Sequence, residues 1–349
     1  MVDQEISLFY DDHVSYSISD FERPLPDDDG MWLAADASEW KQYLDQAKSK
    51  HTKPNESFPE RQKSLCDLFQ LLLDNELDRA ACILQPVHMR LLLYPLHATV
   101  SGLSQLLHRF SDNGKSAGFS KTTTQASSLL RFEEARSLLQ RWWALAERVP
   151  EANSRQCAVM SSSRILYHLV SLNLFTSFKT MEAFARGELT DSRQQNFTPL
   201  ENHWIRLPQD IHFHCGQVLR LVREIPLESR PVWWPAAVYR VGIILWTHSV
   251  ITLLLQGQRM DVDETADRYD PILIDIWSPD HAELQRYRRY AQGRPYLTTR
   301  NGERISLSTP KKVLSLCIES LSGEVNMTKL SCGVKTKLEA LAQAWGSFQ

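Results

Sequence analysis

Apolar residues along this chain recur mostly at intervals of three and four, the period of a helix buried on one face. The pattern is strongest from Ile211 to Leu255. There Ile211, Cys215, Val218, Leu219, Val222 and Ile225 form one stripe. Pro226 ends that helix, because proline lacks an N–H and clashes with the preceding turn. Pro231 and Pro235 bracket Trp233 and Trp234, and Pro235 suits the first turn of the next helix. That helix, Ala236 to Leu255, is apolar nearly all round, which places it inside a helical domain. It carries Arg240 and His248, and its purely apolar run stops at Trp246. The expectation is a core helix and not a membrane span.

The remaining segments follow the same period. Residues 1 to 30 are polar and acidic, with Pro24 and Pro26 opposing a regular helix, and predict an extended arm that docks by a few side chains, or disorder. A short helix over Met31 to Ala47 carries Trp32, Trp40 and Leu44, and the polar run from Lys48 to Pro59 reads as a linker. This divides the chain into an N-terminal arm, 1–59, and a helical body, 60–349. In the body, helices are predicted from Glu60, over Val87–Phe110 with a kink or break at Pro95, over Leu129–Val149, and over Ser161–Arg186. The Ser-, Gly- and Thr-rich run from Ser111 to Gln125 is a loop, and Thr190 to Leu207 is loop-like. Ile272–Ile276 fits a short strand or a helical turn. One hairpin is expected at Tyr296–Leu307, with Asn301-Gly302 as the two positive-φ positions of a tight turn. Thr309-Pro310 caps and opens a helix to Leu321, and a last helix covers Val334–Ala344. The fold class is therefore all-α, an irregular multi-helix domain with one small β-hairpin near residues 296–307. A parallel α/β sheet needs a strand–helix alternation that is missing.

Composition narrows the chemistry. With 349 residues and 43% hydrophobic content the chain can bury a large core. A net charge of -3 leaves no overall basic field for gripping nucleic acid. The six cysteines are scattered, with no close pair of the zinc-binding kind, and most sit in apolar patterns where a thiol acts as a small hydrophobe. No basic, apolar leader opens the sequence. With thirteen glycines there is no Gly-rich phosphate loop, and no nucleophile elbow appears. No catalytic residue, resident metal or cofactor is expected.

Three clusters invite a functional reading. His212, His214 and Cys215 offer metal-ligating atoms, but a helix turns His214 away from the other two, which favours structural histidines. Asp261, Asp263, Glu264 and Asp267 resemble a magnesium-binding run, but follow a break between helices and suit a solvated loop better. Arg286, Arg288, Arg289 and Arg294 interleave with Tyr287 and Tyr290 and are weak candidates for nucleic-acid contact, against the plainer reading of an exposed helix face. Glu133-Glu134 reads as a solvated pair. Trp142-Trp143 and Trp233-Trp234 read as core anchors.

Four stretches carry a resemblance. They are the acidic Leu25-Pro26 segment leading to Met31-Trp32 and Ser38-Glu39-Trp40; Ser163 to Leu169 (SRILYHL); His214 to Arg223 (HCGQVLRLVR) with Arg230 to Arg240 (RPVWWPAAVYR) and Leu245-Trp246; and the hairpin through to Trp345. Together they resemble the regulatory domain of fungal-specific transcription factors, in the branch that follows paired zinc fingers in filamentous fungi. The resemblance implies an all-α domain in a nuclear regulator of transcription, with no catalytic residues, for a fungal pathway such as secondary metabolism. The implied partners are transcriptional co-regulators or a DNA-binding protein, with direct DNA contact and a homodimer left open, and no membrane. The fingers themselves have no counterpart in these residues, so DNA recognition by that route is not expected of them. The competing expectation is an all-α enzyme of small-molecule metabolism with its site near Asp261–Asp267 or His212–His214.

Overall fold

A computed structural model describes residues 2–10, 21–22, 24–26, 31, 34–51, 64–77, 84–112, 121–151, 153–188, 207–258, 270–322 and 327–346. Its helices are α1 (Val2–Tyr10), α2 (Ala37–His51), α3 (Leu65–Leu73), α4 (Pro86–Asp112), α5 (Lys121–Ala146), α6 (Ser154–Phe175), α7 (Phe178–Ala185), α8 (Pro208–Glu224), α9 (Trp234–Gln258), α10 (Ala282–Tyr290), α11 (Pro310–Leu321) and α12 (Lys329–Gly346). Three short strands, β1 (Pro271–Leu273), β2 (Arg294–Thr298) and β3 (Arg304–Ser306), make one sheet in that order. The molecule is all-α with a small β element, as the periodicity predicts.

The helices pack side by side. α4, α5 and α6 pack against one another, α6 packs on α8, α8 on α9, and α9 on α11 and α12. One continuous hydrophobic cluster runs through this stack. Trp142 joins three of its members. It is fully buried, donates its indole N–H to the Met89 carbonyl at 2.9 Å, and stacks on Tyr167 at 5.2 Å. α9 is apolar nearly all round, with Arg240 and His248 among its few polar positions. Its segment Trp234–Leu254 is long and apolar enough to cross a membrane, but 72% of that window is buried in the protein.

Local chemistry sets the ends. Ser64 and Asp67 form a reciprocal capping box on α3: Ser64 Oγ accepts from the Asp67 N–H and Asp67 Oδ2 accepts from the Ser64 N–H. Arg141 then closes the other end of α3, donating to the carbonyls of Leu72 and Leu73.

Several boundaries differ from the sequence pattern. Of the kink or break expected at Pro95, the break is absent: α4 runs through it. Leu92, Leu93 and Leu96 are buried on either side, and that packing offsets an interior proline's cost of about 3 kcal/mol. The helix expected over Ser161–Arg186 is two. Thr176 is extended, and Ser177 starts α7 by accepting from the Thr180 N–H. The N-terminal arm docks by side chains such as Leu8, which is 2% exposed, but it is helical over Val2–Tyr10 and not extended. The loop expected to Gln125 gives way to helix at Lys121.

The β region is larger than a hairpin. β1 runs parallel to β2 with Ile272 opposite Pro295, and α10 connects them. β2 and β3 pair antiparallel, with Leu297 opposite Ile305. Their turn is not the expected two-residue type. The Gly302 N–H bonds the Thr299 carbonyl and the Thr299 N–H bonds the Glu303 carbonyl, with positive φ at Gly302 but not at Asn301. This is a three-residue loop closed by a glycine bulge. Pro310 opens α11 as expected, and Thr309 stands at its N-cap without a side-chain cap bond.

Candidate functional site

α8 is enclosed on all sides. Its apolar stripe packs as predicted, but Asp210, His212, His214 and Gln217 on the other faces are buried as well. Buried polar groups need partners, and each of these finds one on a different neighbour.

Asp210 lies in the first turn of α8, where the helix dipole favours a carboxylate. It receives Arg288 of α10 at Oδ1 and Arg136 of α5 at Oδ2, the latter at 3.4 Å. The Arg288 guanidinium also sits 4.2 Å over the Phe213 ring. One helical turn on, His214 Nδ1 lies 2.8 Å from His168 Nδ1 of α6. Trp143 and Phe213 flank His168, and Phe175 stacks on His214 at 5.6 Å. On the opposite face, His212 Nδ1 meets the Tyr287 hydroxyl of α10 at 2.5 Å, and His212 Nε2 meets His248 Nδ1 of α9 at 3.1 Å.

Electrostatics keep these groups neutral. Burial pushes His168, His212 and His214 well below the usual imidazole range; nearby arginines add to this at His168 and His214, and the His248 imidazole adds to it at His212. Burial alone brings His248 down to about 4 and raises the Tyr287 hydroxyl. Tyr167, against the first pair, is pushed up to about 12. In the His168–His214 contact one Nδ1 carries the proton and the other its lone pair. His168 Nε2 has no partner among the described residues. A bare lone pair costs less there than a bare N–H, so the favoured tautomer has His168 Nδ1–H donating to His214.

The arrangement is a closed hydrogen-bond seam that ties α5, α6, α9 and α10 to α8. Two nitrogens on one tetrahedral zinc stand roughly 3.3 Å apart, whereas His168 and His214 are at hydrogen-bond distance. No group of three or more His, Cys, Asp or Glu side chains is placed to hold a metal among the described residues. A shallow surface hollow lined by Leu72, Leu77, Arg141, Leu145 and Arg148 contains none of the seam residues.

The structure separates most of the residues that sequence proximity grouped. His212 and His214 diverge to different helices, and Cys215 lies buried near Cys317. Burial raises the thiols of both cysteines. Asp261–Asp267 lies outside the described residues. Of the arginine cluster, Arg286 pairs with Glu283 and Arg288 turns inward to Asp210. Arg289 and Arg294 are exposed. Tyr287 is buried, whereas Tyr290 is 61% exposed. Asp210, Arg136 and the His168 contact carry no signal in local sequence; the Asp210 position, two residues after Pro208, marks only a helix start.

A second buried polar cluster holds α1. Arg240 is 1% exposed and donates to the Leu8 carbonyl and to Asn173 Oδ1. Arg90 pairs with Glu5.

Against known proteins, no family model and no solved structure matches the chain. It is 37% identical over 341 residues to Transcription factor 1 of Elsinoe fawcettii, covering 98% of this chain and 34% of that protein. A transcription factor of Zymoseptoria tritici is 35% identical over 360 residues, covering 98% of this chain and 36% of its own length. Transcription factor opdJ of Penicillium oxalicum is 27% identical over 399 residues, covering 99% of this chain and 44% of that protein. The chain spans about a third of the first two relatives. Along nearly its whole length it is thus similar to one portion of several fungal proteins that carry the name transcription factor.

Proposed function

We propose that this chain is a regulatory portion of a fungal transcription factor, acting in the nucleus through protein contacts made by its helical surface. The observation that carries this reading is the similarity over 98% of the chain to proteins named transcription factors. The relatives are longer, so base recognition is assigned to a longer form or to a partner protein. Within the described residues, the arginines of α10 give little support to direct DNA contact. Arg288 is spent on Asp210 and Arg286 faces Glu283, which leaves Arg289 of α10 and Arg294 of β2 exposed, a small set for gripping phosphate. The histidines proposed for a catalytic site are held by separate partners inside the core, which favours a regulator over an enzyme. Secondary metabolism is the pathway class we assign, from the resemblance.

The test tethers the full chain to a heterologous DNA-binding domain upstream of a reporter. A change in transcription, up or down, is expected; an unchanged reporter with the fusion present in nuclei refutes the reading.

A further inference from the structure

α1 is held in place by charges buried beneath it. Its nine residues are too few for a helix to persist alone in water, so α1 folds as it docks. Glu5 pairs with Arg90, whose side chain is 6% exposed and also donates to Ser162 Oγ at 3.3 Å. Near the other end, the Leu8 carbonyl accepts from Arg240. That carbonyl is one of the last four in the helix, which have no intrahelical donor. Arg240 therefore acts as the cation that a helix C-terminus favours. Its guanidinium lies 4.4 Å over the Phe178 ring. Between the two arginines Leu8 enters the core and Phe9 lies 5.4 Å from Trp233, over which Arg90 also sits.

The groove thus selects four features: a carboxylate, an apolar residue three positions on, an aromatic four positions on, and bare C-terminal carbonyls. These belong to acidic amphipathic helices in general, and helix-in-groove recognition uses such spacing. Two guanidiniums facing the occupant disfavour a basic or a wholly apolar one, which would cover their charge without pairing it.

We propose that the groove beneath α1 is a helix-docking site, occupied by α1 in the free chain and exchangeable for an acidic amphipathic helix of a partner protein. The proposal adds a partner class to the regulatory reading but follows from the fold, so either can fail without the other.

The test uses the full chain and, as probe, a fluorescein-labelled peptide of the α1 sequence, VDQEISLFY. Anisotropy titrations compare the wild type with a variant carrying Glu5→Ala and Phe9→Ala, which loosen α1 and leave the groove intact. The variant is expected to bind the probe at least about tenfold more tightly, because the wild-type groove is filled by a tethered competitor. A probe carrying E5Q binds the variant roughly tenfold more weakly, and adding Arg90→Ala to the variant abolishes binding. In the wild type, α1 amides exchange with solvent by local opening, ahead of those of α9. Absent binding by the folded variant, or equal binding by both proteins, overturns the proposal. So do α1 amides that exchange only on global unfolding, or a variant that does not fold, because α1 is then a fixed part of the core. Wild-type dimers joined by exchanged α1 helices assign the groove to a second copy and overturn the partner assignment.

Discussion

Gly216 sets how closely α8 approaches the turn after β1. A Cβ there would lie 2.2 Å from the Ile274 carbonyl oxygen, and the same contact is reinforced by Gln217, which donates to the carbonyls of Ile274 and Trp277. Backbone cannot yield as a side-chain tip can. Gly216→Ala is expected to cost about 3 kcal/mol by overpacking, read as a lower urea midpoint with an unchanged slope. The histidines give a second prediction at this scale. In the folded chain His168, His212, His214 and His248 stay neutral well below the pH at which they protonate when unfolded. The unfolded state therefore binds more protons as pH falls. Their stabilisation is present in full above about pH 6.5 and is lost toward the folded value of about 4 for His248, by roughly 1 kcal/mol per histidine per pH unit. Asp275, raised by burial, opposes this with one proton at the acid end of the window. Urea unfolding at about pH 7.5 and about pH 5.5 checks the slope, and equal stabilities refute neutral burial.

At the scale of elements, α10 shows what local pattern conveys and what it does not. The sequence offers four arginines with two tyrosines. The structure places Leu284, Tyr287 and Arg288 toward the core and Arg286, Arg289 and Tyr290 toward solvent. Arg288→Ala strips Asp210 of its nearer cation and is expected to cost about 3 kcal/mol. Arg289→Ala should stay within about 0.5 kcal/mol. Thermal melts of the two variants distinguish them, and equal effects refute the inward assignment. The helices themselves were legible because their apolar period is local. α8 was legible only on its apolar stripe. Its histidines and Asp210 read as polar, and the groups that make them interior lie 36 to 78 residues away. The same limit applies to the turn at Gly302: Asn301-Gly302 announces a hairpin, but pairing of Thr298 with Arg304 chooses the loop length.

For the whole molecule, the stack is continuous, and its parts come from distant stretches of chain. α1 closes one side of α9, and α11 and α12 close another. α9 is the feature with the widest consequence. On a ribosome it emerges before α11 and α12 have been made, and it then presents a segment that a lipid bilayer would accept. The nascent chain must be shielded from membranes and from other copies of itself until its C-terminal helices arrive. Truncation before Pro310 should shift the product toward inclusion bodies or membrane-associated material, and cellular yield should track chaperone supply more closely than transcript level.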